Sequence, residues 1–278
     1  VSWKPDVNHT LYLVFAYNAE TETLLQSAYM VNSYQNLQMV WYHFGSKNLG
    51  LSVLLMNTGY ELDNPSGTRE IDYLQTFGAY HNFIFDKFSG DVGLYGQTGS
   101  RNNREISAWY SGMNLNYKLA ESLRIGVGAE YLSGTHMDKT SEENNSFTPL
   151  FGTNHAFNGH MDYFYVGNHH NSVGLIDLYG KFSYHSPKIE ISLVPHIFSS
   201  AATIIDSYNN EAKNYLGTEV DLFAGFKIRK DLQVNLGYSQ MFGSRSLEIL
   251  RGGEKDITQN WAWTMVTFTP QLFFADSE

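Results

Sequence analysis

Apolar and polar side chains take turns along much of this chain. In Leu123–Leu132, Leu123, Ile125, Val127, Ala129 and Tyr131 alternate with a second set that is mainly Arg124, Gly126, Gly128 and Glu130. In Leu232–Ser239, Leu232, Val234, Leu236 and Tyr238 alternate with Gln233, Asn235, Gly237 and Ser239. Ile189–Ile197 and Glu219–Ile228 follow the same rule with one exception each, Val194 and Phe223. A period of two puts successive side chains on opposite faces of an extended backbone, so each segment reads as a strand with one apolar and one polar face. The pattern predicts about twelve strands, near residues 10–17, 37–45, 49–57, 74–85, 88–98, 105–119, 123–133, 174–185, 189–200, 214–229, 232–243 and 260–274. The first four are less regular than the rest.

The connections sort into two kinds. Every second one is short: Gly45–Asn48, Asp86–Lys87, Ala120–Ser122, His185–Lys188 and Lys230–Asp231. Those between them are long: Asn18–Asn36, Thr58–Tyr73, Gly134–Val173, Ala201–Lys213 and Ser244–Gln259, with Gly99–Arg104 alone departing from the rule. Short turns at one end and long loops at the other are the habit of outer-membrane barrels. The fold class expected is therefore all-β, an antiparallel transmembrane β-barrel in a single domain over residues 1–278, with about twelve strands in this chain. The last predicted strand ends in Phe273 and Phe274, at the foot where a girdle of aromatics would sit. Trp41 with Tyr42, Trp109 with Tyr110, Tyr163 to Tyr165, and Trp261 with Trp263 are further candidates for the membrane interface.

Composition narrows the class. Charged residues are 17% of the chain and aromatics 15%, whereas a soluble domain carries about a quarter charged residues. No run approaches the roughly 20 apolar residues of a spanning helix. Low charge with apolar residues only at alternate positions fits a barrel whose outer face meets lipid and whose inner face meets water. The net charge of −10 excludes nucleic acid as a natural partner, since phosphate contacts need an excess of Lys and Arg. There is no cysteine, so neither a disulfide nor a thiolate metal site is available. A barrel has to be exported, so a longer precursor is expected ahead of Val1.

The segment Gly134–Val173 is too long for a passive connection, and its second half is unusually apolar, with Phe147, Leu150, Phe151, Phe157, Met161, Tyr163, Phe164 and Tyr165. It is expected to fold onto the lumen wall and narrow the pore, because those rings gain by leaving water. The run PLFGTNHAFNGHMDYFYVGNHHNSVG (Pro149–Gly174), with Leu175–Gly180, the terminal NWAWTMVTFTP, Tyr34–Phe44 and Leu49–Asn57, resembles the alginate export family of outer-membrane β-barrels. Gly152–Phe164 (GTNHAFNGHMDYF) is its most specific piece. The resemblance implies an 18-stranded barrel of which this chain supplies roughly the last twelve strands, the others coming from an N-terminal part or a partner chain. It also implies a conduit for an anionic, alginate-like polysaccharide.

On this reading the partners are outer-membrane lipid and a polar or saccharide solute, and no cofactor is called for. Arg124, Glu130, Asp177, Lys181, His196, Glu219, Asp221 and Lys227 are the expected pore-lining residues, and Asn154, His155, Asn158, His160 and Asp162 the polar members of the constriction loop. The mixed signs on the wall suit a general polar solute better than a polyanion. Two other classes remain in view. His170 and Ser172 stand two apart, a spacing that on a strand shares one face and would suit an outer-membrane hydrolase of the phospholipase type, although Val173 follows Ser172 where that family has Asn. His136, His155, His160, His169 and His170, with Asp138 and Asp162, could serve a metal- or ligand-binding surface receptor, although their spacing matches no compact ligand pattern.

Overall fold

The computed structural model describes residues 1–18, 34–61, 70–138, 143–152 and 158–270. Its strands are β1 (Ser2–Trp3), β2 (His9–Tyr17), β3 (Asn36–Gly45), β4 (Leu49–Glu61), β5 (Ile71–Phe85), β6 (Phe88–Arg101), β7 (Arg104–Ala120), β8 (Leu123–Leu132), β9 (Glu143–Asn144), β10 (Leu175–His185), β11 (Ile189–Ser199), β12 (Tyr215–Arg229), β13 (Leu232–Gly243) and β14 (Gln259–Phe268). All but the two-residue β1 and β9 answer to the twelve strands expected. Each pairs antiparallel with its sequence neighbour in one sheet running from β1 to β14, except that β10 follows β8 and β9 lies parallel to β7. Among the described residues no pairing joins β14 back to β1 or β2, so the sheet has two open edges.

Three details differ from the sequence expectation. The gap expected at Gly99–Arg104 closes to a two-residue turn, Asn102 and Asn103, both with positive φ (54° and 58°), which is the backbone that a tight hairpin requires. The strand expected to reach residue 274 ends at Phe268, two residues short of Pro270; Phe273 and Phe274 lie outside the described residues. The long connection after β13 contains a short helix, α1 (Arg245–Arg251), whose first turn is capped by Ser244 accepting a hydrogen bond from the Leu247 N–H.

The register fixes which residues share a face. Ile125, Phe182, Leu193, Leu222 and Tyr238 face each other across β8, β10, β11, β12 and β13. They belong to a broad exposed apolar surface on which Val127 is 59% and Phe182 53% exposed. A soluble monomer rarely leaves so much contiguous apolar area in water, and lipid is its physical match. No helix among the described residues is long and apolar enough to cross a membrane.

The buried core is displaced to the loop end of the sheet. Leu132, Phe147, Phe164, Val173, Leu175, Phe198, Ile204, Leu216, Met241 and Leu247 form one cluster, built from strand ends, the β8–β10 and β11–β12 loops and α1. The inward face of β2–β4 carries Val14, Met39, Trp41, Leu54 and Met56. Both faces of these strands are thus apolar, which is why the alternation fades there.

Candidate functional site: the inner wall and the loop across it

The β8–β10 loop crosses the inner face from one side of the sheet to the other. It leaves β8 through Ser133, whose hydroxyl accepts from the Trp109 N–H (2.8 Å) and donates to the Asn145 carbonyl (2.7 Å). On β6, the Gln97 side chain donates to the Thr148 carbonyl (2.8 Å) and accepts from the Thr148 N–H (3.0 Å), as a neighbouring strand would. Near its far end, the Tyr163 hydroxyl donates to Gln259 on β14. Phe164 packs on Phe198 of β11 with ring centroids 4.6 Å apart. Contacts on β6, β11 and β14 from one loop require the sheet to curl around it.

Between those anchors the loop meets acids. Asn158 donates from Nδ2 to Glu130 on β8 (2.9 Å) and to Asp177 on β10 (3.2 Å). The backbone N–H of Met161 donates to Glu219 (2.9 Å) and that of His160 to Asp221 (3.3 Å), both on β12. His196 of β11 stands between them, with Nδ1 2.9 Å from Asp177 and Nε2 3.7 Å from Asp221. Asp177, Glu219 and Asp221 are almost wholly buried. Burying a carboxylate is costly unless it is paired and hydrogen-bonded, and the loop's N–H donors answer part of that cost. The turn at Asn158 and Gly159, with φ of 61° and 84°, brings two successive N–H groups onto β12. A Cβ on Gly159 would stand 2.6 Å from Glu219 Oε1, so only glycine allows this approach.

The turn end of the inner face is open. A cavity of about 460 Å³ there is lined by Asn116, Arg124, Lys181, Glu190 and Ser192 among others. Lys227 belongs to the same inward set, in register with Gln233 of β13. The eight wall positions read from sequence therefore divide: Arg124, Lys181 and Lys227 are exposed, whereas Asp177, His196, Glu219 and Asp221 lie beneath the loop with half-buried Glu130 beside them. Of the loop residues, Asn158 is buried on the wall, His160 contributes its backbone, and Asp162 is half-buried with positive φ. Asn154 and His155 lie outside the described residues.

Sequence reasoning missed Tyr110, whose hydroxyl bonds Glu130, and Tyr179, which bonds Asn114. It also misplaced several rings. Trp41 pairs with Leu54, and Trp263 with Gly237, on the inward face. Trp263 covers Gly237 and lies 6.1 Å from Phe223 and 6.4 Å from Trp261. These rings stand off the membrane side, and for Trp263 the glycine opposite it, Gly237, was the available clue.

The rival sites are less assembled. His170 and Ser172 lie in a turn that precedes β10; Ser172 Oγ accepts from the Gly174 N–H (3.2 Å), and Asn171 between them has φ 50°. Among the described residues no group of His and carboxylates has metal-binding geometry.

Residues 8–243 match the profile of the family described as Alginate export. No curated protein matches the chain significantly. Among solved structures, the outer membrane protein OprD from Pseudomonas aeruginosa superposes with a TM-score of 0.56 at 11% identity, over 96% of this chain and 66% of that one. The NanC porin gives a TM-score of 0.40 at 11% identity, over 84% and 93% of the two chains. The outer membrane phospholipase A from Escherichia coli gives 0.34 at 11% identity, over 98% and 99%. The OprD likeness shows the outer-membrane β-barrel fold, of whose chain this one spans 66%.

Proposed function

The chain belongs to the alginate export family, and from that premise we propose that its inner wall conducts saccharide-like, anionic solutes past the loop. Membership and fold make it a cell outer-membrane pore or export conduit for polar solutes. The finer reading rests chiefly on the segregation of charge along the wall. Counted from sequence, the inner face carries both signs, with Arg124, Lys181 and Lys227 outnumbered by Glu130, Asp177, Glu190, Glu219 and Asp221. Folded, most of the acids are covered by the loop, and the open turn end presents Arg124, Lys181 and Lys227, with Glu190 and Glu121 as the near counter-charges, Glu121 being paired with Lys118 (2.7 Å). A wall with surplus cation concentrates anions from the side they enter. The inward Phe223, Trp261 and Trp263 supply flat apolar surface of the kind that sugar rings stack on.

The reading contains no chemical step. Asn158, the His160 and Met161 N–H groups and Gly159 hold the loop, and the loop sets the bore. Planar-bilayer recording tests it. The protein should conduct, with a preference for anions that moves toward cations in Arg124→Glu/Lys181→Glu. Folded protein that leaves the bilayer silent, or a selectivity unmoved by reversing both charges, counts against it.

A further inference from the structure

A second cavity, of about 400 Å³, opens at the loop end, away from the acid-lined wall. It lies between the start of β7, the residues after β8, the last part of the β8–β10 loop and the end of α1, and its lining includes Arg104, His136, Asn168, His169, His170 and Arg251. No Asp or Glu is among the described residues that line it. That is unusual in a chain with 28 acidic and 18 basic residues. Two stretches of the β8–β10 loop, β7 and α1 bring two arginines and three histidines to one concave place.

We propose that this cavity binds an oxyanion, a carboxylate or phosphate, carried by a sugar-sized solute at the outer mouth. The inference goes beyond the conduit reading, because it concerns a pocket outside the lumen wall and stands whether or not the wall conducts.

The donors are of the right kind. Arg104 spends one N–H on Asn171 Oδ1 (3.1 Å), which fixes the guanidinium while leaving it further donors. His136 Nδ1 accepts from the Thr203 N–H (3.1 Å), so the neutral ring carries its proton on Nε2 and can donate. His169 Nε2 is held by the Phe164 carbonyl (2.9 Å), which fixes that ring in the pocket wall. Arginine's planar fork is the side chain best matched to carboxylate and phosphate. The electrostatics agree: burial first, then Arg101 and Arg104, hold His170 below the ordinary histidine range. Arg251 adds to burial in lowering His169. A cavity of this size is within the range that holds a small ligand.

Calorimetric titration of the folded protein in detergent tests this, with glucuronate, glucose 6-phosphate and neutral glucose as probes. Both anions should bind at least about tenfold more tightly than glucose, the two charged arms showing whether carboxylate or phosphate is preferred. Arg104→Gln/Arg251→Gln should weaken both by about tenfold or more. Arg229→Gln, at the turn end, should leave them unchanged. Equal binding of glucose, no binding of either anion, or unchanged affinity in the double variant overturns the proposal. Should the double variant fail to fold, the wild type decides: raising salt from about 0.05 M to about 0.5 M should weaken the anions and not glucose, and a salt-insensitive affinity overturns the proposal equally.

Discussion

Gly159→Ala adds one methyl group at the place where the loop comes nearest to β12. The new Cβ would stand 2.6 Å from Glu219 Oε1, 2.7 Å from its Cδ and 2.8 Å from Oε2. That carboxylate cannot step aside freely, because Oε1 accepts the Met161 N–H and the side chain is fully buried. Two costs follow. Alanine at φ 84° pays about 1–2 kcal/mol for its left-handed backbone. Displacing Glu219 from the Met161 N–H leaves a buried donor unsatisfied, at about 1–3 kcal/mol. Together they weaken loop docking by roughly 2–5 kcal/mol, which is about one and a half to three and a half decades in the docked-to-released ratio. The strands are untouched, so their β content by circular dichroism should match that of wild type. The assay is single-channel conductance with limited proteolysis of the loop on the same preparation. Gly159→Ala should conduct more and be cut within the loop far faster. A variant with wild-type conductance and wild-type loop protection would refute the claim that the Asn158–Gly159 turn holds the loop on the wall.

Two further outcomes follow from the loop. His169 is 3% exposed, and burial, helped by Arg251, holds its pKa down at about 4 against an ordinary 6.5. The released loop therefore takes up the proton first: docking is strongest above about pH 6.5 and weakens as pH falls toward 4, by about 3 kcal/mol in all, with His170 contributing in the same direction. Protease cleavage of the loop should accelerate over that window in wild type and more weakly in His169→Asn; a flat wild-type profile contradicts the assignment. Ser172→Ala removes only the acceptor for the Gly174 N–H, at about 1 kcal/mol. Phospholipid hydrolysis by the purified protein should not differ between wild type and this variant, and a loss confined to the variant would reinstate the hydrolase.

The strands were legible because lipid and water impose opposite demands on alternate residues, as in Ile125/Arg124 or Leu236/Asn235. Where both faces are apolar, as at Val14, Met39, Trp41, Leu54 and Met56, the period weakens although the strands are present. The inner wall positions were readable as a face and the loop's return onto that wall was expected, but which acids it covers was not, because Glu219 and Asp221 meet loop residues about 60 positions away in the sequence. The Asn158–Gly159 pair is a turn signal that sequence reading could have used. Helix α1 is too short for a helical period to register, and the loop-end basic pocket gathers residues from Arg104 to Arg251 that only the fold brings together.

The chain has no cysteine, so single cysteines can report on each face without background. Placed at Ile125, Leu193 and Leu236 of the protein reconstituted in lipid, they should resist a water-soluble thiol reagent and react with one that partitions into the bilayer. Cysteines at Arg124, Ser192 and Gln233 should show the reverse. Equal labelling of both sets by the water-soluble reagent, or protection of both, would contradict a wall that separates lipid from an aqueous path.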